Sequence, residues 1–594
     1  MPLNFQRHNV FMKFRAMKTL LKNLLIAALT MPLLSSSCKK QGQDLIPVPP
    51  GPDSIIPQVD PPLAQTVGFF MHDWQERKFT APASFNDLTA PTTSSVTVNI
   101  DRSKVITKIP RSFAGNNANI WMGDMVNETK LLNYLTDLHP HIIRFPGGSI
   151  SDIYFWNENK DQPPADAPAK LIKADGSSTD AGYWYGKNNE SWTISLDKYY
   201  SVLQKTGNQG MIIINYGYAR YGTGTNPVAR AAHLAADWVR YDNGRTKYWE
   251  IGNENYGDWE AGYRINTAEN KDNQPEILTG QLYGQHFKVF ADSMRQAAKE
   301  IGKTIYIGAV SYESVPQGWN TNTVKTWNTG MYPAAGNSPD FYIIHNYYTA
   351  YQTNANANEI LNTPEPVTKS MVDLVRQAVT TAGLQQKPVA LTEFNIFSQG
   401  SMQSVSHVNG MHAVMVLGEA LKNKIGMTAR WDLANGWDSG NDHGMFNNGD
   451  EPGAIKWNAR PAFYHMYFFS TYLGDRLLES STSSPGDLKS YASSFSTGET
   501  AVALVNQSAD TRTAEIKVKN FKKGKRYYWY TLTGSNDNGE FSRKVIINNQ
   551  GPSGVSGGPD NYKTIQPHSA VITDGVRVTV PGRSTVVMVI EGVK

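Results

Sequence analysis

Two glutamates carry the chemistry legible in this chain. In Lys247 to Glu260, KYWEIGNENYGDWE, the run Tyr248-Trp249-Glu250-Ile251-Gly252 stops at Asn253-Glu254 and opens into Asn255, Tyr256, Asp258, Trp259 and Glu260. That reads as a short buried strand whose end forms a polar, aromatic mouth. The pattern returns at Pro388-Val389-Ala390-Leu391-Thr392, followed by Glu393-Phe394-Asn395. Two carboxylates at strand ends of one barrel are the minimum for breaking a glycosidic bond. One protonates the leaving oxygen, and the other attacks the anomeric carbon from about 5–5.5 Å away. Glu254 is expected to be the acid/base and Glu393 the nucleophile. Either glutamate alone reads as a solvated loop residue. Matching strand ends, each with an asparagine beside it, tip the reading toward catalysis.

The elements that must position them recur along the chain. From about residue 112 a short β-rich run, a polar break and a helical segment alternate. Eight runs are expected: Phe113 to Ile120, Ile142 to Phe145, Met211 to Tyr216, Lys247 to Ile251, Thr304 to Val310, Phe341 to His345, Pro388 to Leu391 and Met427 to Trp431. Phe287, Phe290, Met294, Ala297 and Ile301 step by three and four, as one face of a helix does. Alternating strands and helices call for a parallel sheet, and eight units predict a closed (β/α)8 barrel over 112–472. A doubly wound open sheet is the alternative; it wants a phosphate-cradling Gly-rich first turn, and none is seen. From 473 to 594 short alternating strands between turn residues predict an antiparallel β-sandwich, with 96–111 supplying one further strand. Residues 66–95 form an N-terminal extension in which Phe69-Phe70-Met71 and Trp74 suggest docking on the body.

The runs WEIGNE, LTEFN and, at 142–148, IIRFPGG resemble the glycoside hydrolases of clan A, over roughly residues 96–594. That resemblance implies an acid/base after the fourth strand and a nucleophile after the seventh. It also implies that Asn253 holds the sugar 2-hydroxyl and that Arg144 keeps the nucleophile ionised. His345 and Tyr347 would orient the carboxylates, and Trp431 would floor the sugar subsite. Within the clan the chain is most similar to family 51, chiefly α-L-arabinofuranosidases. RFPGG followed by Tyr154 and Trp156, and the segment Ala231 to Asn243, carry that likeness. Two positions depart from it. Ser149 stands where the family usually has Asn, and Gly115-Asn116-Asn117-Ala118-Asn119 offers amides where the family places a sugar-binding glutamate. An endo-acting β-glycanase is therefore the alternative within the clan. Trp121, Trp156, Trp184 and Trp259 are natural stacking platforms for a longer chain.

Composition sets the remaining bounds. At 594 residues, 40% hydrophobic and 18% charged, the chain has enough for two domains plus extra segments. Residues 1–37 hold five basic residues and no acid, so removing them takes the formal net charge from +4 to −1, which leaves no basic field for nucleic acid. Basic residues, an apolar run from Leu20 to Leu34, small residues and the single cysteine, Cys38, resemble a bacterial lipoprotein signal. A lipid on Cys38, a Pro-rich tether over 38–65 and residence at a Gram-negative cell envelope are the expectation. No metal-binding helix motif appears among the histidines, so no cofactor and no catalytic metal are expected. The competing function class is a non-catalytic surface glycan-binding lipoprotein, which has no use for two carboxylates at reactive spacing.

Overall fold

A computed structural model of the chain describes residues 55–123, 125–400, 402–535 and 540–593. The expected signal over 1–37, Cys38 and the tether up to residue 54 lie outside the described residues. Eight short parallel strands close into a ring: β1 (Gly115–Asn117), β2 (Ile142–Phe145), β3 (Gln209–Ile214), β4 (Thr246–Ile251), β5 (Tyr306–Val310), β6 (Phe341–Asn346), β7 (Val389–Phe394) and β8 (Met427–Arg430). Each expected run supplies one of them, and Arg430 of β8 pairs with Asn116 of β1 to close the barrel. Every residue of β2, β7 and β8 is buried, the pattern of parallel strands covered on both faces.

One long helix follows each strand: α1 (Thr129–Asp137), α2 (Leu196–Thr206), α3 (Pro227–Asp242), α4 (Gly280–Glu300), α5 (Asn322–Ala335), α6 (Pro364–Thr381), α7 (His407–Lys422) and α8 (Pro461–Tyr472). In α4 the buried stripe includes Phe287, Phe290, Met294 and Ala297. The helix starts where Thr279 Oγ1 accepts the Leu282 N–H at 3.2 Å. In α7 every residue from His407 to Leu421 is buried, so it lacks the one-sided pattern of a surface helix. Among the described residues no helix is long and apolar enough to cross a membrane.

The N-terminal extension seals the barrel from beneath. Val67, Phe70 and Met71 share a core with Ile142, Met211, Tyr248, Phe341 and Met427, and Phe69 stacks on Tyr306 at 3.8 Å. The Thr66 carbonyl accepts the Val389 N–H at 3.0 Å, so the plug is also hydrogen-bonded to the start of β7. Residues 55–65, expected within an extended tether, lie along the body instead. Val59 bridges Lys104, Gln58 donates to the Arg102 carbonyl at 3.0 Å, and Asp60 pairs with Arg476 at 2.6 Å. Extended Pro-rich backbone still offers hydrogen-bonding groups to a sheet, and here the sheet takes them.

The C-terminal strands depart from a purely antiparallel two-sheet sandwich. Together with Asn86–Asp87 and Val96–Lys108 they form one eleven-stranded hydrogen-bonded sheet. Val96–Lys108 enters it between Arg476–Thr482, antiparallel, and Arg512–Lys519, parallel. Val98, Leu504, Trp529, Val578 and Met588, from strands far apart on that path, share one core. The sheet thus folds over its own apolar interior.

Candidate functional site

β4 ends at Ile251, and Gly252 (φ +77°) turns the chain sharply. A side chain at Gly252 would strike Asn255 Oδ1 at 1.9 Å. Glu254 follows with φ +42°, a backbone conformation uncommon for a residue with a side chain. That turn lifts its carboxyl over the barrel end rather than out to solvent. Glu393 is a residue of β7 itself, and its side chain is 7% exposed. One oxygen of Glu254, one oxygen of Glu393 and a ring nitrogen of His345 lie within 4.8 Å of one another.

His345, near the end of β6, sits between the two acids. Its Nδ1 lies 2.9 Å from Glu254 Oε1, and its Nε2 lies 3.0 Å from Thr392 Oγ1. Burial drives its pKa down to about 4, so the ring is neutral at pH 7. With the Thr392 hydroxyl donating to Nε2, Nδ1–H donates to Glu254 and fixes that carboxyl. Burial raises the Glu254 pKa to about 7, against Arg144 and the Trp259 indole N–H, which lower it. Glu254 therefore keeps a proton near neutrality, as a general acid must.

Glu393 needs the opposite state. Burial raises its pKa too, and neighbouring Glu254 adds to this. The Tyr347 hydroxyl donates to Glu393 Oε1 at 2.6 Å, and Arg144 Nη1 lies 3.4 Å from Oε2. Both favour the ionised form. Burial and Glu393 push the Tyr347 phenol far above its usual range, so it remains a donor.

Arg144, at the end of β2, is fully buried and divides its five donors. Nε donates to Glu250 at 2.8 Å, Nη1 to Asn117 at 2.7 Å and Nη2 to Asn253 at 2.9 Å. Asn253 passes one amide hydrogen to Glu260 at 3.0 Å, which leaves the other for a ligand. Ser149 Oγ donates to the same Glu260 oxygen at 2.7 Å. Asp152 accepts from Asn255 at 2.7 Å and from the Asn253 backbone at 3.3 Å.

Trp431 follows β8, and its ring lies over Gly148. A side chain at Gly148 (φ +52°) would meet Trp431 Cη2 at 2.7 Å. The glycine thus admits an indole. Trp259 lies at the mouth, 59% exposed, with its N–H on Glu254. Trp156 differs from expectation: it stacks on Trp238 of α3 at 5.7 Å and donates to the Leu234 carbonyl at 3.1 Å. Its ring packs a helix against the body and carries no contact to the acid pair.

The residues that sequence reasoning missed are the holders. Glu250 and Asn117 anchor Arg144. Asn119 donates to Asp432, whose pKa burial raises to about 8. Glu313, raised by burial to about 7, accepts from Asn346 at 3.2 Å. The one available signal was the cluster of amides in the first strand, which reads as ligand-binding but serves to hold charged neighbours. His345, Glu254 and Glu393 also have the spacing to ligate a metal ion. Each is already engaged by a proton donor or acceptor, so the set is organised for proton transfer.

Comparison with known proteins adds to this geometry. No protein-family model matches the chain. Alpha-L-arabinofuranosidase C of Emericella nidulans is 23% identical over 293 residues, 45% of this chain and 50% of that protein. The chain spans about half the length of the curated relatives it matches. The α-L-arabinofuranosidase of Thermotoga maritima, solved as an arabinose complex, superposes with a TM-score of 0.57 at 18% identity, over 84% of this chain and all of that one. A bifunctional glucanase-xylanase from a metagenome library gives 0.54 at 14%, with the same coverage. The chain shares their fold.

Proposed function

We propose that this chain is a retaining glycoside hydrolase of the α-L-arabinofuranosidase type, related to family 51 and acting on an oligosaccharide or polysaccharide. The observation that carries this reading is the separation of Glu254 and Glu393 oxygens, within 4.8 Å across one mouth. That leaves space for one anomeric carbon and none for an intervening water, the spacing of double displacement. Glu393 attacks the anomeric carbon while Glu254 protonates the leaving oxygen. Glu254 then takes a proton from water, which attacks the same carbon and frees Glu393. The arabinofuranosidase likeness of its relatives supports the sugar class. Product stereochemistry followed by NMR on an aryl α-L-arabinofuranoside tests the reading: retention supports it, and inversion or no turnover on any glycoside rejects it.

A second reading, an endo-acting β-glycanase, is favoured by the exposed tryptophans around the mouth. The lipid on Cys38, anchorage at a Gram-negative envelope and the sandwich-like role of the appended sheet belong to the same proposal. Mass spectrometry of the mature N-terminus tests the anchor, a diacylglyceryl cysteine being the expected species.

A further inference from the structure

Four tryptophans form a continuous row that starts at the floor of the mouth. The Trp431 ring lies 6.5 Å from Trp121, Trp121 lies 6.5 Å from Trp184, and Trp184 lies 5.7 Å from Trp192. Successive planes are inclined by 58° to 69°, so each ring meets its neighbour edge to face and one face of each remains open to a ligand from the mouth side. Exposure rises outward, from partly buried Trp431, Trp121 and Trp184 to Trp192 at 49%. A core cluster has no reason to run outward in this way.

The row is held rigidly. Trp121 follows β1, whereas Trp184 and Trp192 belong to the long excursion between β2 and α2. The two segments are tied together: the Gly123 N–H donates to the Trp192 carbonyl at 2.9 Å, and Thr193 Oγ1 donates to the Ile120 carbonyl at 3.0 Å. Trp184 is pinned by strand pairing to Tyr154, and the Trp192 N–H is held by Glu190 at 3.1 Å. Side chains fixed before a ligand arrives lose little freedom on binding it. Across the mouth, the other two exposed tryptophans, Trp259 at 59% and Trp319 at 84%, sit on the loops after β4 and β5. All three exposed tryptophans of the described residues therefore lie on the face that carries the acid pair.

We infer that Trp121, Trp184 and Trp192 form a track for successive sugar rings of a polysaccharide chain, continuing from Trp431 on the side of the mouth away from Trp259. Indole faces bury the apolar C–H faces of sugars, and a row of such rings offers one face after another along a chain. Because Trp259 touches the acid, the leaving-group side lies with it, and the row serves the part of the chain that Glu393 retains. The substrate is then a polymer crossing the mouth, not only a terminal sugar. This rests on the glycosidase reading for the roles of the two sides.

The experiment compares the full chain with Trp192→Ala, Trp192→Phe and Trp184→Ala on arabino-, xylo- and cello-oligosaccharides of rising length and on aryl monoglycosides. In the unaltered protein kcat/KM rises with chain length. Trp192→Ala lowers the ratio of long- to short-substrate kcat/KM by about tenfold, and Trp192→Phe retains most of it. Length profiles that coincide in the unaltered protein and Trp192→Ala overturn the track. If no substrate is turned over, the glycosidase reading fails separately. Retardation in affinity gels containing arabinan, xylan or β-glucan then decides the track, which stands if Trp192→Ala abolishes it and falls if the variants migrate alike.

Discussion

The Arg144 guanidinium lies 2.8 Å from Glu250 and 3.4 Å from Glu393. Its tighter partner is a carboxylate inside the barrel, with no exposure on either side chain. The cation near the nucleophile is therefore held in place by an internal counter-ion, which also offsets part of its field at Glu393. Removing one member of a buried pair leaves the other charge uncompensated. Arg144→Met should cost about 3–5 kcal/mol of stability, measured by urea unfolding, with much of it recovered in Arg144→Met/Glu250→Gln. Equal stability of the single and double variants would show that Glu250 is not its partner in solution.

Loss of the attacking carboxylate should leave a folded but inactive protein. Glu393→Ala is expected to lower kcat on the order of 10⁴-fold. Azide, occupying the vacated space, should restore part of the turnover. Steady-state kinetics on an aryl glycoside checks both; near-normal activity would remove Glu393 from the reaction.

The acid gives a leaving-group signature and a pH signature. Glu254→Gln should slow substrates with poor leaving groups far more than activated aryl glycosides. Because the Glu254 pKa lies at about 7, kcat/KM should fall as pH rises through 7 and the acid loses its proton. That alkaline limb should vanish in Glu254→Gln. A limb that persists in the variant assigns the titration to another group.

Stability should also depend on pH, with a sign fixed by burial. Glu254 and Glu313 at about 7 and Asp432 at about 8 keep protons in the folded state that the unfolded chain has released. Stability therefore falls as pH rises through those values. Buried His141, His345 and His412, at about 3 to 4, act in the opposite sense, but only below the ordinary histidine value of 6.5. Between pH 6.5 and 8 the carboxylates decide, and Tm should drop. Calorimetry at both pH values should show a smaller drop for Glu254→Gln than for the unaltered protein.

Gly148→Ala tests the floor. The added methyl meets the Trp431 ring at 2.7 Å in a left-handed backbone conformation. A displaced floor should reduce kcat/KM about 10²-fold, with a smaller effect on Tm. An unperturbed kcat/KM would mean that Trp431 does not touch the sugar.

The barrel was legible because its strands are short apolar runs separated by polar breaks, and the acid pair because Asn253-Glu254 and Glu393-Phe394-Asn395 stand at matching run ends. What escaped was set by distant partners. Asn117 and Asn119 look like ligand amides in the first strand, yet only the folded chain brings Arg144 and Asp432 to them. Trp156 follows a family-like motif, but the aromatic face of α3, with Trp238 and Tyr241 far downstream, captures its ring. Phe69 and Phe70 show no period because the core they join draws on seven different strands.

That last grouping bears on how the molecule is made. The aromatic stopper leaves the ribosome early, yet the socket that receives it is complete only when β8 has been synthesised. Until then its rings stand among incomplete neighbours, and β1 waits just as long for β8 to seam the ring. Chain closure and corking are thus a single late event, so a nascent polypeptide stalled before Met427 would present greasy, unpaired surface to chaperones and proteases.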